Sequence, residues 1–220
     1  MFENMTLFSC QLALFVESGS VRADELSVEV RRGMDLGSYE PMLIPEAPGM
    51  PEEFPRLQIN TSKGYQLTMS KLRIDFFMSL PLGLEDKELT EFHQRASQLL
   101  GILGSYGFSF SRVGLICNYF LSSTVSAKDA AQKFLKVDSD DVAELNFSIT
   151  KRFERGGRLL NNLYNFASGA SAHMGDGYVL VRDVNTVPHI NYSMSPRDIE
   201  ELIDFMKGMI DRNSVSDFVR

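Results

Sequence analysis

Apolar residues fall at every second position in one segment of this chain after another, and at every third or fourth in only a few. Period two is the mark of strands with one buried face, and period 3.6 that of an amphipathic helix. Phe8, Cys10, Leu12, Leu14 and Val16 share one phase over residues 7–16. Leu26, Val28 and Val30 alternate with Ser27, Glu29 and Arg31 over 25–31, and Ser18-Gly19-Ser20 between the two segments supplies turn chemistry. A first antiparallel hairpin is the expectation. Leu57, Ile59, Tyr65, Leu67 and Met69 around Ser62-Lys63-Gly64 predict a second, and Leu72 to Leu80 a further strand ended by Pro81 and Gly83.

The period then changes. Leu89, Phe92, Ala96, Leu99, Leu100 and Leu103 predict a helix over 86–103, closed by Gly104 and Gly107. A long strand follows at 108–121. Phe108 and Phe110 are in one phase, Val113, Leu115, Cys117 and Tyr119 in the other, so a bulge is expected near Ser111-Arg112. Ser126 is a helix N-cap, and the short helix it opens runs to about Lys136. Residues 142–153 and 158–167 form a hairpin around Gly156-Gly157, and 178–184 a strand. The composition of Ser168–Gly177 predicts a loop. Ser195-Pro196 opens a last helix over 196–211, with Ile199, Leu202, Ile203, Met206, Met209 and Ile210 on its apolar face.

Residues 36–55 hold Pro41, Pro45, Pro48, Pro51 and Pro55, five of the eight prolines. Proline lacks a donor and fixes φ, so this segment is expected to be an extended loop without ladder pairing, mobile or a structural covering, with a functional loop as the alternative. The fold class is α+β: antiparallel sheets covered by two long amphipathic helices. The rhythm suggests two tandem sheet-plus-helix halves, 1–107 and 108–220, joined in one compact unit.

The 220 residues carry a net charge of −7, and 44% are hydrophobic, as in an ordinary globular protein. Leu7–Val16 is too short to span a bilayer, which takes about 20 apolar residues. No basic residue precedes it, so no secretory signal is read, and a cytoplasmic location without membrane contact is the expectation. Cys10 and Cys117 each lie in an apolar strand and are expected to be reduced and buried.

Motifs for chemistry are absent from the sequence. His93, His173 and His189 lack metal-site spacing, and His93, at helix spacing beside Phe92, is expected at the surface or at its boundary with the core. Neither a nucleophile elbow nor a phosphate loop occurs. Asp138, Asp140 and Asp141 lack the central glycine of a calcium loop and read as a solvated turn. No cofactor and no metal is expected.

One charged segment stands out. Lys151, Arg152, Arg155 and Arg158 against Glu154 give a local +3, while the rest of the chain carries −10 of the total −7. With Phe153 among them at a hairpin tip, they are partner-binding candidates for protein or, weakly, for nucleic acid. The same charges would also keep a strand edge from pairing.

At Arg112–Phe120 the strand reads RVGLICNYF. It resembles the signature of a family of uncharacterised, sporadically distributed bacterial proteins, in which a strand after a helix reads Arg-aliphatic-Gly-Leu-Arg-Tyr-aliphatic-Asn. Arg112, Val113, Gly114, Leu115 and Asn118 agree approximately; Ile116 replaces a second Arg, and Asn118 comes one place early. Phe54–Ile59 and Tyr178–Thr186 are similar to two further stretches of that family. The resemblance implies an α+β fold and a bacterial or phage-borne origin, and no activity. Arg112 at the bulge and Asp183 at a strand end are expected to form a partly buried ion pair that fixes register.

The expectation for function is a non-enzymatic protein–protein interaction module of a bacterial or phage-borne assembly, with an unknown protein partner and a possible homo-oligomer. The alternatives are a nucleic-acid-binding accessory protein using the basic hairpin, or a small-molecule binder with an apolar pocket between sheet and helices.

Overall fold

The computed structural model describes residues 5–137, 140–188, 190 and 192–210. In chain order the elements are β1 (Thr6–Ser18), α1 (Ala23–Gly33), β2 (Met42–Leu43), β3 (Leu57–Asn60), β4 (Tyr65–Met69), β5 (Arg73–Ser79), α2 (Asp86–Ser105), β6 (Ser109–Ser122), α3 (Ala127–Leu135), β7 (Asn146–Arg155), β8 (Arg158–Ser171), β9 (Gly175–Thr186) and α4 (Pro196–Ile210). The strands form one nine-stranded antiparallel sheet in the order β2-β3-β4-β5-β1-β6-β9-β8-β7.

One residue phase of this sheet is the core. The register aligns Leu67, Phe76, Leu12, Leu115, Val184 and Asn162 across six strands. The helix stripes of Leu26 and Val30, of Phe92 to Leu103, and of Ile199 to Ile210 join the same buried cluster. Each fully buried Leu or Phe stabilises the fold by about 1.5–3 kcal/mol. At 20 and 15 residues, α2 and α4 are short for a sheet of nine strands. Their main contacts are with each other, α1, β1, β6 and β9.

Residues 25–31 are helix, not strand. Leu26 and Val30, four apart, are buried, while Val28 between them is 44% exposed. Asp24 and Glu25 in the first turn and Arg31 and Arg32 in the last complement the helix dipole. The expected first hairpin is therefore absent: β1 pairs with β5 and β6 instead, at the middle of the sheet. The proline segment does contribute one ladder, Met42 and Leu43 against Leu57 and Gln58, because these two residues between Pro41 and Pro45 keep their donors.

Ser168–Gly177 also departs from expectation. β8 continues to Ser171 and β9 begins at Gly175, so only a tight turn is left. The small residues serve close approach rather than a loop. A Cβ on Gly177 would stand 2.0 Å from the Leu121 carbonyl oxygen. The bulge in β6 falls as expected: Arg112 faces Phe15 and Phe110 faces Val16, leaving Ser111 extra. Ser126 caps α3 by accepting from the Asp129 amide. Cys10 and Cys117 are free, buried and directly opposite, with their sulfurs 3.1 Å apart. Burial pushes the Cys117 thiol pKa upward.

Candidate functional site

The residue phase that alternates with the core forms the other face of the sheet, and none of its residues in β1, β5, β6, β8 or β9 between Ser9 and Phe15 and their partners belongs to the core cluster. Register fixes what this open face carries. One row runs Asp75, Ala13, Gly114, Asn185, Asn161 and Arg152. The next runs Phe77, Gln11, Ile116, Asp183 and Leu163, and a third sets Phe15 between Arg73 and Arg112.

The polar groups here are held in place. Asp75 Oδ1 accepts from Gln11 Nε2 at 2.7 Å and from Arg73 Nε and Nη2 at 2.9 and 2.8 Å. The guanidiniums of Arg73 and Arg112 lie 5.0 and 4.2 Å from the Phe15 ring centre. Such stacking contributes about 0.5–1 kcal/mol at exposed sites and more when water is excluded. Arg152 Nε donates to Asn161 Oδ1 at 3.1 Å, and Asn161 Nδ2 to Asn185 Oδ1 at 3.2 Å. Gly114 leaves space for this group: a Cβ there would be 3.3 Å from Asn185 Cβ and 3.7 Å from Asp183 Oδ1.

Arg112 and Asp183 share this face but no hydrogen bond or contact ion pair joins them. The residue opposite Asp183 is Ile116, four places from Arg112, about 13 Å along a strand. Arg112 Nε and Asp183 Oδ1 are both buried atoms without a hydrogen-bond partner. Burial lowers the Arg112 pKa, with Arg73 adding to the effect and Asp183 opposing it. Burial raises the Asp183 pKa, while Asn185, Arg112 and Arg73 pull it back. Thus Arg112 and Gly114 of β6 and Asp183 of β9 lie on one face of the sheet. Asn118 lies on the same face, donating to Ser9 Oγ at 2.8 Å.

The hairpin residues are placed differently. Strand alternation sends Lys151, Phe153 and Arg155 to the core side of the sheet and Arg152 to the open side. Phe153 packs on Phe205 of α4, with ring centres 5.8 Å apart, and Arg155 lies 4.8 Å over that same ring. Lys151 sits 5.6 Å over Tyr164, and Arg158 binds Asp198 at 2.7 Å. Lys151 and Arg155 are exposed on one side of the hairpin and Arg152 on the other, while Arg158 is tied to α4.

Sequence reasoning passed over Gln11, Phe15, Arg73, Asp75 and Asn185. Their signal was available, since each lies on the more polar phase of its strand. Arg182 was also missed, and is fully buried on the core side. It donates to the Asn162 amide oxygen at 3.4 Å and to the Met209 carbonyl in the last turn of α4. Among the described residues no group of three or more His, Cys, Asp or Glu could hold a metal, and no helix is long and apolar enough to cross a membrane. His189 and Asp138 lie outside the described residues. No protein-family model and no curated protein matches the chain.

Proposed function

We propose that this chain is a non-enzymatic protein–protein interaction module that works through the open face of its sheet, with a second copy of itself as the occupant. The family-like strand at Arg112–Phe120 adds a bacterial or phage-borne assembly as the setting. The observation that carries the reading is the pair Arg112 Nε and Asp183 Oδ1, a donor and an acceptor buried without partners on one face. Those two atoms are closed to solvent, at a cost of about 1–3 kcal/mol each, but both residues are only half-buried, so the rest of each charged side chain is open to a partner surface. A two-fold contact brings like patches together in opposite directions, so that Arg112 of one copy reaches Asp183 of the other.

Half-buried Phe15, Phe77, Ile116 and Val181 around the pair supply apolar area. The area is adequate. β1, β6, β8 and β9 have 13, 14, 14 and 12 residues. At about 3.3 Å per residue and 4.8 Å between strands, they and β5 offer a face comparable to the roughly 800 Å² that a stable dimer buries per partner. Nucleic-acid contact through the hairpin has less support, because Arg158 is paired with Asp198 and strand alternation divides the exposed Lys151 and Arg155 from Arg152.

Light scattering on eluting protein tests the proposal. The wild-type chain should run as a dimer, Arg112→Asp and Asp183→Arg should each run as monomers, and the double exchange should restore the dimer. A wild-type monomer at every concentration reached would sink the reading, as would single variants that stay dimeric.

A further inference from the structure

We propose that the cavity between α1 and the proline-rich segment binds a small organic carboxylate with an apolar body, its head group taking the place now held by Glu46. The cavity measures about 810 Å³, within the usual range for small-molecule sites. Leu43, Ile44, Met69 and Phe108 give it an apolar lining, and Arg56 and Lys71 bring two cations to it.

Arg56 is the unusual member. Its side chain is only 6% exposed, and a cation this buried demands compensation. Part of that comes from backbone: Nη2 donates to the Pro51 carbonyl and Nη1 to that of Phe54, both at 3.2 Å. Nε has no hydrogen-bond partner, and the nearest carboxylate oxygen, Glu46 Oε1, stands at 3.6 Å. Glu46 Oε2 meets Lys71 Nζ at 3.2 Å. One carboxylate therefore bridges two cations, at a distance too long for a good bond to the buried one.

Glu46 differs from Arg56 in its freedom. Its side chain is 61% exposed. The backbone around it is pinned, Ile44 N–H to the Arg56 carbonyl at 2.9 Å and Lys71 N–H to that of Glu52 at 3.0 Å. The wall of the cavity is thus fixed while the carboxylate can swing into water. Exposed ion pairs contribute little, so exchanging Glu46 for an incoming carboxylate costs little. The apolar lining then selects an acid with a hydrocarbon body over a bare ion. The α1 N-terminus at the cavity rim is already served by Asp24, which pairs with Arg22 at 2.6 Å, and takes no part.

Calorimetric titration with octanoate, 1-octanol and acetate tests this. Octanoate should bind the wild-type protein, and octanol and acetate at least about tenfold more weakly. Glu46→Gln removes the internal competitor and should tighten octanoate binding about fivefold, whereas Lys71→Met should weaken it by a similar factor. Arg56 is left intact because it also holds the loop carbonyls. The proposal fails if octanoate binds neither wild type nor Glu46→Gln, if Glu46→Gln binds it no more tightly, or if octanol binds as well as octanoate.

Discussion

His93 shows how one side chain can set a pH limit on the fold. It sits on α2 facing α4, and burial brings its pKa down to about 4, with Lys207 adding to that effect and Asp204 opposing it. The unfolded chain protonates this imidazole near pH 6.5, whereas the folded one resists until about 4. Between these values the unfolded state binds more protons, so stability falls as pH drops. The loss is roughly 2 kcal/mol by pH 5. His93→Leu should remove this slope, checked by urea midpoints of both proteins at pH 7 and pH 5. An equal drop in the variant would show that other groups cause it. Asp183, whose pKa is raised above the usual 3.8, acts in the opposite sense as pH falls toward that value, which is why the difference between the proteins is the useful quantity. At this scale the sequence was an uneven guide. Cys10 and Cys117 announced their burial through the phase of their neighbours. Arg182 shares a phase with Leu180 and Val184 and gave no sign that a buried cation would meet the end of a helix.

Among the elements, those bounded by strong local chemistry were readable. α4 begins where Ser195 and Asp198 cap each other, Asp198 N–H on Ser195 Oγ at 3.3 Å and Ser195 N–H on Asp198 Oδ2 at 2.9 Å. α1 was not readable, because seven residues with apolar positions at 26, 28 and 30 satisfy period two. Only tertiary packing selects the pair at 26 and 30. The proposed open surface lay further out of reach, since it exists only after register aligns residues from β5, β1, β6 and β9. The β7–β8 hairpin carries a prediction of its own. Its link to α4 through Arg158 and Asp198 is partly shielded, with side chains 22% and 37% exposed. Arg158→Gln should cost about 0.5–1 kcal/mol, and almost nothing when Asp198 is already Asn. A double-mutant cycle by urea unfolding measures this, and additive losses would mean that the ion pair does not couple hairpin to helix.

At the scale of the whole molecule, β1 joins the two parts of the chain. It pairs with β5 on one side and β6 on the other, so the segments 1–107 and 108–220 share one continuous ladder. Shared hydrogen bonds at the sheet centre favour loss of both parts together. Unfolding followed at Tyr65 and at Tyr164, by a probe attached near each, should give coincident transitions; two separated midpoints would mark independently stable units. The position of β1 also has a consequence for biosynthesis. Cys10 and its partner Cys117 are 107 residues apart in the chain. At about 5–20 residues per second, the ribosome takes roughly 5–20 s to deliver the second after the first. Throughout that interval β1 has made its apolar row of Cys10, Leu12 and Leu14 but has no β6 to pair with. An early strand that must wait for a late one is a natural client for chaperones that hold nascent apolar segments, and slow codons ahead of β6 would lengthen its exposure.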